Sequence, residues 1–338
     1  MATIFAEAVL AQLFKKEVNG QVTGGPAYYL RYGLNSKFLS SFFAITIVLA
    51  LGFIGNMVQA NSIGTAFESA FHVNPLIVGI VLAIISGFIF VGGVARIASF
   101  TEKIVPIMAF FYIIGGLIIL VIMGSDTLDA IRQIFVGAFN PSAVLGGAAG
   151  VAVKDAVRYG VARGLFSNEA GMGSTPHAHA IAKVDDPTQQ GLVAIVGVFI
   201  DTFIVLNVSA LVIIATGANL SGETGIAVTQ KAFETGFGGF GLVFVAIALL
   251  FFAFSTIIGW YFFAEANIKY LFGEKGLTPY RIIVLAFIVL GTCLRVDLVW
   301  ELADMFNGIM VIPNVIGLIG LSKLVKQALD KAEDNHIL

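Results

Sequence analysis

Long apolar runs separated by short polar stretches dominate the hydropathy pattern of this chain. Hydrophobic segments occupy residues 38–66, 75–95, 104–123, 191–217, 239–264, 282–294 and 300–322. About 18 or more apolar residues suffice for a helix to cross the ~30 Å hydrocarbon core of a bilayer, and most of these segments reach or approach that length. The pattern predicts an all-α polytopic membrane protein, with no soluble domain or low-complexity linker. Residues 1–14 are also apolar, with Glu7 their single charge. A helix of that length covers only about 21 Å. It reads either as the remainder of a spanning helix, which makes the chain N-terminally truncated, or as a short helix at the interface. A signal peptide places its positive charge before its apolar run; here Lys15 and Lys16 come after it.

The stretch 140–182 does not fit the simple pattern. It is rich in Gly and Ala, carries Lys154, Asp155, Arg158 and Arg163, and by hydropathy alone reads as a loop. Charge bias decides otherwise, because Lys and Arg favour cytoplasmic loops. Lys15, Lys16, Arg31 and Lys37 put 15–37 inside, and the absence of Lys and Arg from 67–74 puts that loop outside. If 140–182 crosses, Lys269, Lys275, Arg281, Lys323, Lys326 and Lys331 all fall inside, while only Lys231 and Arg295 fall outside. Without that crossing the assignment is reversed. The rule predicts a spanning helix interrupted at its centre.

Counting the first segment, the chain then makes nine crossings, four on each side of the interrupted one. The units expected are 1–123, the remainder of a first repeat (a helix stub plus three helices), and 143–322, a second repeat broken near 163–176. An external connection, 124–142, joins them, and 323–338 is a cytoplasmic tail. Transporters made of inverted repeats break the corresponding helix in both halves and bind substrate there, so the first repeat is expected to lack its own broken helix. Gly pairs at Gly92–Gly93, Gly115–Gly116 and Gly146–Gly147 read as sites of close helix packing.

Composition sharpens the class. Of 338 residues, 58% are hydrophobic and 12% charged, with 38 Gly; the charged share is about half that of soluble domains. Mean hydropathy is +0.95. A net charge of −2 lacks the basic footprint of a nucleic-acid binder, and one cysteine, Cys293, excludes an intrachain disulfide framework.

Candidate chemistry concentrates in three places. From Arg163 to Pro176, Gly164, Gly171, Gly173 and Pro176 all weaken a helix. Backbone groups freed at such a break can meet a carboxylate or a sodium ion, with Phe166, Ser167 and Asn168 at the break; a re-entrant turn with structural duties only is the alternative. Glu169 needs a partner at membrane depth, and Arg163 is the near one. In the helix 239–264, Ser255 and Thr256 offer hard oxygen ligands for an alkali cation, or simply bond back to the chain. Trp260, four residues beyond Thr256, shares its face. In 38–66, Asn56 and Gln59 face one side together, as interhelical amide contacts or as ligand groups. Asp201, inside 191–217, is either an ion-path carboxylate or the partner of a basic group. Asn307 and Asn314 flank Pro313 as packing and kink partners. His177 and His179 lie two apart, without a thiolate cluster, and do not form a zinc pair. No nucleophile elbow, Walker loop or dinucleotide fingerprint occurs, so no enzyme is indicated.

The sequence Arg163-Gly-Leu-Phe-Ser-Asn-Glu-Ala-Gly-Met-Gly-Ser-Thr-Pro-His-Ala-His-Ala180 closely resembles the signature of the alanine or glycine:cation symporter family. Ala6-Glu7-Ala8 with Gly24 to Tyr29, Gly55 to Ser62, and Phe254 to Trp260 resemble the same family, so the likeness runs essentially end to end. It implies a five-plus-five inverted-repeat fold of the neurotransmitter:sodium symporter type, here lacking its first core helix. It also implies sodium-coupled symport of small neutral amino acids such as alanine and glycine, with sodium as coupling ion and no cofactor. By that resemblance Gln59, Phe166, Asn168, Thr256 and Trp260 line the substrate pocket, and Ser255 and Thr256 contribute to a sodium site. The expected setting is multi-pass in the lipid bilayer of the plasma membrane, with a cytoplasmic C-terminus. A passive channel, which would work without a sodium gradient, and an inactive truncated fragment are the competing readings.

Overall fold

The computed structural model describes residues 1–139 and 147–335, and the side chains of these except 93–102 and 147–152. The expected boundary between 142 and 143, the Gly146–Gly147 pair and residues 336–338 fall outside the described residues or side chains. Among the described residues, five helical stretches are long and apolar enough to cross a membrane: Lys37–Phe71, Lys103–Met123, Pro187–Ala215, Gly239–Cys293 and Val296–Gly320. The fourth is two helices, Gly239–Phe272 and Leu277–Cys293, joined by a tight turn at Gly273–Gly276. Ala2–Leu13 and Pro75–Val91 are shorter apolar helices. Every apolar segment expected from hydropathy overlaps a helix.

Some boundaries move for identifiable reasons. The helix expected to stop at 264 runs on to Phe272, where Glu265 and Lys269 pair across one turn at 3.0 Å. The connection after Met123 carries an amphipathic helix, Ser125–Phe139. The loop 15–37 contains a hairpin, Lys16–Val18 against Gln21–Thr23, with Lys16 opposite Thr23. Its two turn residues, Asn19 and Gly20, both have positive φ, 52° and 76°, which the inward twist of a two-residue hairpin turn requires. The tail folds as the helix Ser322–Asp334.

Two cores position the site. In one, Ala60, Ile63, Leu82, Phe90, Ile257, Tyr261, Val284 and Ile288 bury the helix Lys37–Phe71 against Gly239–Phe272 and its neighbours. In the other, Leu10, Tyr29, Phe43, Leu51, Met172, Trp260 and Met310 gather the N-terminal helix, the break and the last long helix. Outside these cores Ile84, Val91, Val121 and Ile319 are each at least 68% exposed, as apolar side chains facing lipid tails would be.

Lys37–Phe71 is π-helical over Val48–Gly55. Close approach explains its glycines: a Cβ on Gly52 would sit 2.8 Å from the Ala264 Cβ, and one on Gly55 would sit 2.7 Å from the Trp260 ring.

A helix break is present, and it lies a little later than the sequence pattern places it. The helix Gly147–Asn168 stops, residues 169–175 are not helical, and Pro176–Ile181 resumes. Phe166, Ser167 and Asn168 therefore form the last turn of the first half and stand before the unwound stretch. Glu169 ends the helix by taking a positive φ of 56°, while the Asn168 Oδ1 accepts from the Ala170 N–H at 3.0 Å. Gly171 and Gly173 follow at φ 97° and 84°, conformations that side chains resist.

Candidate functional site

A cavity of about 740 Å³ opens beside the break. Gln59 and Ser62 reach it from Lys37–Phe71, Thr256 and Trp260 from Gly239–Phe272, Arg163, Phe166 and Ser167 from the first half of the broken helix, and Trp300 and Asp304 from Val296–Gly320. Four of the five expected substrate residues thus share one cavity wall: Gln59, Phe166, Thr256 and Trp260. Asn168 does not line it; its Nδ2 donates to Thr202 Oγ1 at 3.3 Å, on the side of the helix away from Phe166, two residues and about 200° round.

Phe166 sits between two indoles. Its ring centroid is 5.3 Å from that of Trp260, nearly perpendicular at 85°, and 5.0 Å from that of Trp300. Edge-to-face contacts of this kind fix ring orientation as well as burying area. The Trp260 N–H then donates to the Glu169 carboxylate at 2.7 Å, and Ser174 Oγ donates to the other oxygen. The wall of the cavity is in this way bonded to the first residue of the unwound stretch.

Arg163 is not the partner of Glu169. Its two terminal nitrogens donate to the two oxygens of Asp304, at 2.5 and 3.1 Å, and its guanidinium lies 4.2 Å from the Trp300 ring centroid. A planar fork that matches a carboxylate and stacks on an indole binds better there than it would at Glu169, whose oxygens already hold two donors. Asp304 carried no signal of its own, since the partner stands 141 residues away.

Peptide groups at the break, expected to face a guest, are largely taken by protein. The N–H groups of Gly171 and Gly173 each donate to Glu7 at 2.8 Å. Asn314 donates to Glu7 Oε1 at 2.7 Å and to the Gly171 carbonyl at 2.9 Å, and accepts from the Tyr29 hydroxyl. Asn314 is thus more than a kink partner of Pro313. A buried carboxylate and a buried amide satisfy the groups that unwinding releases, which the membrane interior demands. Glu7 is fully buried; at the sequence level it is visible only as the lone charge of an apolar helix.

Ser255 and Thr256 both donate to the Phe252 carbonyl, at 2.8 and 2.9 Å. Three oxygens therefore converge within one turn, with Thr256 on the cavity and Ser255 behind it. Asn56 donates to the Gly52 carbonyl at 3.0 Å and is buried, apart from Gln59 on the cavity wall. His177 contacts the Ser174 carbonyl and Asn267, and His179 contacts Gln190. Among the described residues, no group of three or more His, Cys, Asp or Glu is placed to hold a metal.

Membrane-length apolar helices around an interrupted one, with a polar and aromatic cavity at the interruption, define a multi-pass membrane transporter. The profile of the sodium:alanine symporter family matches residues 1–336, and the chain belongs to that family. It is 43% identical over 334 residues to the sodium/alanine symporter AgcS of Methanococcus maripaludis, covering 96% of this chain and 73% of that one. It is 41% identical to the amino-acid carrier protein AlsT of Bacillus subtilis, over 96% of this chain and 69% of that one. The probable sodium/glutamine symporter GlnT of Bacillus subtilis is 43% identical, over 97% of this chain and 68% of its own length. Membership makes the chain a transporter and not an enzyme, with sodium as the coupling ion, and supports sodium-coupled amino-acid symport.

Proposed function

We propose that the protein couples sodium entry to uptake of a small neutral amino acid, alanine or glycine, by alternating access. The observation that carries this reading is the convergence of Gln59, Phe166, Thr256 and Trp260 on one cavity beside the unwound residues 169–175. Gln59 and Thr256 supply hydrogen-bonding groups, while Phe166 and Trp260 leave space for a short side chain. Asn168 acts from behind, holding the last turn of the half-helix through Thr202. Ser255 and Thr256 contribute hydroxyl oxygens to sodium, a hard cation that prefers such ligands. Sodium and substrate cooperate because each favours the same conformation.

In this reading 1–123 and 143–322 are the two repeats of a five-plus-five inverted-repeat transporter of the neurotransmitter:sodium symporter type, joined by the external connection 124–142. The lysines of the tail, Lys323, Lys326 and Lys331, support a cytoplasmic C-terminus in the plasma membrane.

The test is uptake of radiolabelled alanine into proteoliposomes carrying the protein. An inward sodium gradient should drive accumulation, glycine should compete better than glutamine, and Thr256→Val should abolish the sodium response. Uptake indifferent to sodium would instead indicate a passive pore, and equal competition by glutamine would remove the size assignment.

A further inference from the structure

A second cavity, of about 400 Å³, lies between the first half of the broken helix and the helix Val296–Gly320. Val161, Leu165 and Met172 form one side of it, and Gly308 and Val311 the other. Arg158, Phe166 and Asp304 line both this cavity and the larger one beside the break, so they stand where the two adjoin. Asp304 is fixed there by both terminal nitrogens of Arg163. Phe166 is held only by ring contacts, with Trp260 and Trp300.

One uncharged polar side chain lies among these apolar walls. Asn307 lines the second cavity and is 9% exposed. Its Oδ1 is buried and has no hydrogen-bond partner among the described residues. Asn314, two turns further along the same helix, instead bonds Glu7 and the Gly171 carbonyl. A buried acceptor without a donor costs stability, so Asn307 is an amide awaiting a partner. An amide presents a donor and an acceptor together, which suits a second amide whichever way round it sits. Of the two charged groups lining the cavity, Asp304 is already bonded, and Arg158 is exposed.

We propose that this second cavity is a side-chain subsite for amino acids that end in a carboxamide. Asn307 reads the carboxamide, the apolar walls take the methylenes that carry it, and Phe166 keeps the subsite shut. With the ring in place between its two indoles, the larger cavity holds a short side chain only. Removing the ring joins the two spaces and brings Asn307 within reach of a linear side chain such as that of glutamine. The proposal rests on reading the larger cavity as the amino-acid site, and its test separates the two.

The experiment is equilibrium binding to the purified full chain in lipid nanodiscs at saturating sodium. The probes are radiolabelled alanine and glutamine, with norleucine and glutamate as competitors. Phe166→Ala should bind glutamine roughly 10-fold more tightly than the parent does, the worth of about one buried hydrogen bond. Phe166→Leu, which keeps more of the apolar volume, should gain in the same direction and guards against a folding defect in Phe166→Ala. Norleucine, which has the chain without the amide, should gain less, and so should glutamate. Adding Asn307→Leu should take the glutamine gain away while norleucine binds better. No glutamine gain in either Phe166 variant overturns the proposal. A gain that survives Asn307→Leu overturns it too, as does an equal gain for norleucine, which makes the cavity mere space, or for glutamate, which assigns recognition to Arg158. A parent that binds no alanine strikes down the reading of the larger cavity, and the subsite with it.

Discussion

The indole N–H of Trp260 donates to the carboxylate of Glu169 at 2.7 Å, joining residues 91 positions apart in the chain. Trp260 also packs edge-on against Phe166, so one side chain bonds the unwound stretch and shapes the cavity wall.

Replacing Trp260 by Phe keeps a ring on Phe166 but removes the donor. A buried carboxylate oxygen left short of a hydrogen bond costs about 1–3 kcal/mol. Trp260→Phe should melt at a lower temperature in detergent and bind alanine less tightly. A variant that melts and binds like the parent would show that the N–H does not hold Glu169 in place.

Glu7→Gln should destabilise the break. The amide presents a single oxygen where the carboxylate takes the N–H groups of Gly171 and Gly173 and the amide of Asn314. Each hydrogen bond to a charged group contributes about 1.5–3 kcal/mol. Amide hydrogen exchange at Gly171 and Gly173 should quicken while the helix Leu277–Cys293 stays as protected as before. Uniform protection at all of these sites would count against a clamp at Glu7.

Alanine at Gly171 and at Gly173 should differ in cost. Both have positive φ, a strain of about 1–2 kcal/mol for a side-chain-bearing residue. A Cβ at Gly173 would in addition lie 2.7 Å from the Phe43 ring and 2.9 Å from Asn314, whereas at Gly171 the nearest atom is 3.9 Å away. Thermal melts should rank Gly173→Ala below Gly171→Ala, and the reverse order would contradict the packing described.

Gly55→Ala should cost about 1–3 kcal/mol by overpacking against Trp260, where a Cβ would come within 2.7 Å of the ring. Gly259→Ala, on the helix that carries Trp260, meets nothing within 4 Å and should stay within about 0.5 kcal/mol of the parent. Parallel melts of the two variants read the difference directly.

How far the sequence revealed this arrangement depends on the range of each interaction. The interruption is legible because Gly171, Gly173 and Pro176 cluster in it, and these local preferences act whatever packs around them. Thr256 and Trp260 fall on one cavity because helical spacing alone puts them on one face. The partners of the break are another matter. Glu7 lies 164 positions from Gly171, and Asp304 lies 141 from Arg163; no local pattern joins such pairs, so nearness in sequence pointed Arg163 to Glu169. The hairpin at Lys16–Thr23 was legible in Asn19-Gly20, a strong turn signal that a reading led by hydropathy passes over.

The bonds among Glu7, Gly171 and Asn314 also set a timetable for synthesis. Glu7 emerges from the ribosome before the unwound stretch, and Asn314 only 307 positions after Glu7. For the 143 positions that separate the two residues, the Gly171 carbonyl waits without the amide that will cover it. A nascent chain halted before the helix Val296–Gly320 must keep that stretch wet or sheltered by the insertion machinery.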